Sequence, residues 1–164
     1  MSKIERNKKI DKFIMTAFQP IRDAMKILTS KSANPTSEED KNILDSQLQA
    51  LSAYEEKVVS EFRTLQIENS PPPTSVLRIY QSAFEETKKA IENLNGDVTT
   101  SRLILNNFEQ VTNFCTNVLT KENGVKFFDT KGFDIEEVVK ANGEIKESWD
   151  SFIKENSGSL SITY

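Results

Sequence analysis

Side chains that could do nucleophilic or acid–base chemistry occur in this sequence, but histidine is absent. Its absence excludes Ser–His–Asp and Cys–His catalysis, the usual zinc sites and the Glu-x-x-His ligands of di-iron bundles. The single cysteine, Cys115, lies among aromatic and aliphatic residues, which predicts a buried thiol. We therefore expect no catalytic residue, no metal site and no cofactor.

Four pairs of adjacent carboxylates could in principle support general acid–base catalysis. They are Glu38–Glu39, Glu55–Glu56, Glu85–Glu86 and Glu136–Glu137. Adjacent helix positions point in different directions and cations lie nearby, so solvated helix surfaces explain these pairs better.

The segment DTKGFDIEE, residues 129–137, has the composition of a calcium loop. An EF-hand needs glycine at its sixth position, whereas Gly132 is fourth from Asp129, and Lys131 occupies a ligand position. The better interpretation is a loop followed by a helix whose N-cap is Asp134, with Glu137 three residues later.

Composition predicts a folded, water-soluble chain. Of its 164 residues 37% are hydrophobic and 28% charged, and the net charge is −4. We expect one domain over residues 1–164, with residues 36–156 as its core. A nucleic-acid partner is not expected, and the short basic stretch MSKIERNKKIDK is interpreted as a solvated helical turn or tail. Neither a signal peptide nor a membrane span is recognisable, so a cytoplasmic location is predicted.

Apolar residues recur at spacings of three and four, which predicts an all-α fold, an antiparallel bundle of about five helices. The first helix covers residues 3–30, and Pro20 should break or kink it near Thr16 to Gln19. The second begins at Thr36 or Ser37.

Three consecutive prolines, Pro71–Pro73, are predicted to form a stiff corner, because each proline disfavours helix in the residue before it. They do not form the PxxP pattern that SH3-type grooves bind, because residue 74 is threonine. Thr74 or Ser75 should cap the third helix, and Gly96 should take a left-handed conformation after it. The fourth helix, extending to about residue 121, has the broadest apolar face and should lie at the bundle centre.

Two further predictions concern the last third of the chain. The three phenylalanines of GVKFFDTKGF should close one end of the core. Gly143, inside the last helix, should mark a close packing contact, because glycine otherwise weakens a helix.

Three segments resemble the N-terminal helical domain of cyclase-associated proteins, the actin-recycling family also called Srv2. QIENSPPPTSVLRIYQSAFEETKKAIENLN is similar to that family's proline turn and amphipathic helix, LILNNFEQVTNF to its Phe–Asn-rich segment, and VVKANGEIKESWDSFIKENSGSL to its last helix. The similarity covers roughly residues 40 to 160, although CTNVLTKENG stands where the family usually has an Ala-Leu-Gly-Trp-like string. The resemblance implies a domain that binds actin with a cofilin-type partner, through Asn106, Asn107 and Glu109.

Three classes of function follow. A non-enzymatic helical protein–protein interaction module is expected first, with actin machinery as its most specific form. The alternative is a membrane-active or secreted helical effector, although no helix pairs a lysine-rich polar face with a Trp-rich apolar face. An enzyme would have to use carboxylates, hydroxyls and lysines alone and is the least expected.

Overall fold

The structure, a computed structural model, describes residues 2–94, 96–120, 127–128 and 132–156. Within these ranges it contains six helices and no strands, which confirms the all-α prediction. The helices are α1 (Lys3–Ala17), α2 (Gln19–Ala33), α3 (Glu38–Ile67), α4 (Pro73–Asn93), α5 (Val98–Leu119) and α6 (Ile135–Glu155). The sixth helix arises because the predicted first helix is divided into α1 and α2.

The break between α1 and α2 lies where Pro20 predicted it. The amide of Phe18 still donates to Ile14 O at 3.1 Å, and Phe18 O accepts from Arg22 N at 3.0 Å. Proline has no amide hydrogen and suits the first turn of a helix, so α2 starts anew around it. The carbonyls of the last turn of α1 therefore need partners from elsewhere in the fold.

Together α1 and α2 run antiparallel along the length of α3. The side-chain amide of Asn7 donates to Gln66 O at 3.2 Å near the end of α3. Arg22 pairs with Glu55 at 2.8 Å in its middle. One side of the bundle is therefore made by two helices in succession.

The proline triplet forms a corner between α3 and α4, as predicted. Pro71 and Pro73 are buried, which leaves the triplet unsuited to act as an exposed peptide ligand. The predicted cap at Thr74 or Ser75 is wrong, because α4 already begins at Pro73, where a fixed φ and a missing amide hydrogen are favourable. Ser75 instead donates its hydroxyl to Glu68 Oε2 at 2.9 Å.

Helix α5 contacts all five other described helices, so its broad apolar face lies at the bundle centre as predicted. Phe127 and Phe128 are buried in the core, but Phe133 is 46% exposed, so the expectation for that third ring is wrong. It immediately precedes Asp134, whose carboxylate caps α6 by accepting from Glu137 N at 3.2 Å. Asp129 and Lys131 of the supposed calcium loop lie outside the described residues.

Two glycine predictions have different outcomes. Gly96 has φ +85°, the left-handed conformation expected of it. The close contact expected at Gly143 is wrong, because a Cβ added there would meet no atom within 4 Å.

Candidate functional site

A groove of about 650 Å³ lies between the outward sides of α5 and α6. Its aromatic base comes from Tyr80 of α4, Phe108 of α5 and Trp149 of α6. The other lining residues are Arg102, Leu105, Asn106, Glu109, Thr112, Asn113 and Thr116 of α5 and Lys146, Asp150 and Ile153 of α6. Polar walls over an aromatic base are thus brought together from three helices.

The structure divides the three residues predicted to face a partner. Asn106 and Glu109 are exposed and line the groove. Asn107 is only 2% exposed and points into the bundle, because adjacent positions on a helix lie about 100° apart. The predicted set is therefore not one surface, and partner contact remains a prediction for Asn106 and Glu109 alone.

Asn107 joins three helices through its side-chain amide. Its Oδ1 accepts from the hydroxyl of Tyr54 on α3 at 2.6 Å, and its Nδ2 donates to Ala17 O, at the end of α1, at 2.9 Å. The second bond satisfies one of the carbonyls freed by the break before Pro20. Asn107 thus has a structural role that the asparagine-rich sequence did not indicate.

Trp149 connects α6 to the rest of the bundle. Its ring centroid lies 4.2 Å from that of Phe108, 5.7 Å from Phe84 and 5.5 Å from Phe152. The contact with Phe84 is edge-on, an arrangement that aromatic pairs favour. The base of the groove is consequently a packed aromatic cluster that fixes the spacing of α5 and α6.

The two titratable groups at and below this base are neutral at physiological pH. Burial, followed by the nearby Cys115 and Asp150, raises the pKa of Tyr80 to about 12. Burial likewise raises the pKa of the Cys115 thiol, which is fully enclosed. The groove therefore contains a phenolic hydrogen-bond donor but neither a phenolate nor a thiolate.

A second polar cluster lies where the start of α1 meets the end of α3. Arg6 donates to Glu68 O and, at 3.3 Å, to Asn69 O, while Lys3 donates to Ile67 O at 3.1 Å. Arg6 is 2% exposed, so the interpretation of the N-terminal basic stretch as merely solvated is wrong for this residue. One sequence feature could have indicated this contact: the last turn of α3 has no basic residue of its own to donate to its carbonyls.

Of the residues that the structure describes, no three His, Cys, Asp or Glu side chains are grouped so that they could hold a metal ion. No helix in the same ranges has the length and hydropathy to cross a membrane. No protein-family model, curated protein or solved structure matches the chain.

Proposed function

We propose that this chain is a non-enzymatic helical module that binds a protein partner in the groove between α5 and α6. The observation that carries the proposal is the exposed polar wall of Asn106 and Glu109 above the aromatic base at Trp149. Protein interfaces typically combine an apolar, often aromatic, centre with a polar rim. The groove has this combination in one place.

The charges of the walls suggest what the partner segment is like. Arg102 and Glu109 project from α5, and Lys146 and Asp150 from α6, so both signs occur on both walls. A partner of strong single-sign charge would meet a like charge on either wall, which costs binding energy. A segment of mixed charge with an apolar side fits these walls best.

The two buried titratable groups at and beneath the aromatic base of the groove favour protein binding over catalysis. Tyr80 and Cys115 both keep their protons at neutral pH, because burial raises both pKa values. A general base needs a pKa near the working pH, and a cysteine nucleophile needs its thiolate. These groups supply neither.

The most specific form of the proposal takes actin, together with a cofilin-type protein, as the partner. It is supported by the resemblance of three segments to the helical domain of cyclase-associated proteins. It is also supported by the exposure of Asn106 and Glu109, two of the residues to which that resemblance assigned partner contact.

Cosedimentation with actin filaments, with and without cofilin, tests the proposal. The double variant Asn106→Ala/Glu109→Lys should lose binding, because it changes one wall of the groove without disturbing the core. Gln81→Ala/Glu85→Lys is the matched control, since it likewise replaces a side-chain amide by alanine and a glutamate by lysine, at exposed positions of α4 outside the groove. Absence of binding by the unchanged protein in both conditions would refute actin as the partner, and equal losses in both variants would refute the groove.

A further inference from the structure

The first two helices carry a net positive charge, whereas the rest of the chain is acidic. Residues 1–35 contain eight Lys or Arg and three Asp or Glu, a net charge of +5. Residues 36–164 contain 13 Lys or Arg and 22 Asp or Glu, a net charge of −9. Because α1 and α2 follow α3 in succession, this positive charge lies along one side of the bundle.

The cations exposed on that side are lysines, because the two arginines are engaged within the fold. Arg6 is buried against the carbonyls of Glu68 and Asn69, and Arg22 pairs with Glu55. The remaining exposed lysines are Lys8, Lys9, Lys12, Lys26 and Lys31. Within the part of the chain that the structure describes, none of these five forms an ion pair.

Apolar side chains are exposed beside these lysines. On α1, Ile4, Lys8, Lys12 and Met15 fall within an arc of about 80° opposite the buried side. Ile4 is 70% and Met15 67% exposed, and Ile27 of α2 is 56% exposed. We call this surface, Ile4, Lys8, Lys12 and Met15 with Lys26, Ile27 and Lys31, the basic–apolar face.

We propose that the basic–apolar face docks the domain on an anionic lipid bilayer. Lysine carries a compact charge on a flexible stem, which suits mobile lipid phosphates, and juxtamembrane lysines are attracted to anionic leaflets. Isoleucine and methionine side chains beside them can enter the interfacial region while the ammonium groups remain among the headgroups. The helices lie flat on the surface, because their inner sides are already packed against the bundle.

The composition of the face favours lipid over the other anionic partners. Protein interfaces are enriched in arginine and aromatic residues and depleted in lysine. Recognition of bases in a nucleic acid relies on arginine forks and stacked aromatic rings. On this side of the bundle Phe18 is buried, Phe13 packs against Phe62 and Phe114, and both arginines are engaged, so neither feature is offered.

Cosedimentation with lipid vesicles tests the proposal. The full chain should bind vesicles of phosphatidylcholine with about 30% phosphatidylserine but not phosphatidylcholine alone, and binding should weaken between about 0.05 and 0.5 M salt. Lys8→Glu/Lys12→Glu should reduce partitioning at least about 30-fold, since one lysine near an anionic surface contributes about fivefold. Ile4→Ser/Met15→Ser should reduce binding while leaving its salt dependence unchanged.

Lys57→Glu/Lys140→Glu is the matched control, because it makes the same charge change at exposed positions of α3 and α6. Its partitioning onto anionic vesicles should fall by less than about threefold, through long-range charge alone. Equal losses in the two lysine variants, or no binding to anionic vesicles at low salt, would overturn the proposal. Binding to polyglutamate but not to vesicles would also overturn it and would assign the face to an acidic protein. The groove variant Asn106→Ala/Glu109→Lys should bind vesicles normally, which separates this proposal from the previous one.

Discussion

Replacement of Asn107 by leucine tests whether the buried amide holds α1, α3 and α5 together. Leucine has a similar size and shape, so the change removes the polar atoms with little change in packing volume. It leaves the Tyr54 hydroxyl without its acceptor and Ala17 O without its donor. Both of these residues are buried, so water cannot replace the lost bonds. The Thr87 hydroxyl beside Tyr54 is a remaining acceptor for the phenol, which lowers the expected cost.

The expected cost follows from these two groups. A buried polar group without a partner costs about 1–3 kcal/mol, so the two together cost about 2–6 kcal/mol. The added apolar surface of leucine offsets about 1 kcal/mol of this, which leaves a destabilisation of about 1–5 kcal/mol. At about 2–4 °C per kcal/mol for a domain of this size, that corresponds to a fall in Tm of roughly 2–20 °C.

Urea unfolding followed by far-ultraviolet circular dichroism measures the change. Tyr54→Phe alone should cost about 1–2 kcal/mol, because it leaves Asn107 Oδ1 without its donor. The double variant should cost less than the sum of the two single variants by about 1–2 kcal/mol, since both remove the same bond. Asn106→Leu, on the exposed side of the same helix, is the control and should stay within about 0.5 kcal/mol.

Two results would refute this reasoning. One is an Asn107→Leu protein as stable as the Asn106→Leu control. The other is strict additivity of Tyr54→Phe and Asn107→Leu, which would mean that the hydroxyl and the amide do not interact.

Three further predictions concern other parts of the bundle. The free energy of unfolding should fall as the pH rises above about 9. The reason is that Cys115 and Tyr80 keep their protons in the folded chain, whereas the unfolded chain loses them near the ordinary pKa values of 9.0 and 10.0. Urea unfolding at pH 7 and pH 10.5 measures this, and unchanged stability would contradict it. Arg6→Met should cost about 2–4 kcal/mol by leaving the carbonyls at the corner after α3 without donors, whereas the same change at an exposed lysine of α1 should be nearly neutral. Gly143→Ala should stabilise by about 0.5–1 kcal/mol, because the helix has room for a Cβ there, whereas Gly96→Ala should destabilise by about 1 kcal/mol because of its positive φ; thermal unfolding of both variants checks the opposite signs.

Local features of the sequence determined much of the fold. The break at Pro20, the caps at Ser37 and Asp134 and the left-handed Gly96 depend on residues within a few positions of one another. Apolar spacing gave the helices and the central place of α5 for the same reason, since a helix repeats every 3.6 residues. Such features depend on nearby residues alone, so they can be predicted from the sequence.

The candidate site depended on tertiary structure in a way that the sequence could not express. Asn106 and Asn107 are the same residue type in the same helix, yet one lines the groove and the other is buried. The partners of Asn107 lie 53 and 90 residues away, and those of Arg6 lie 62 and 63 residues away. A polar side chain has a structural role when folding places it against a carbonyl or hydroxyl that water can no longer reach. Whether this happens depends on how distant helices pack, and not on the neighbouring residues in the sequence.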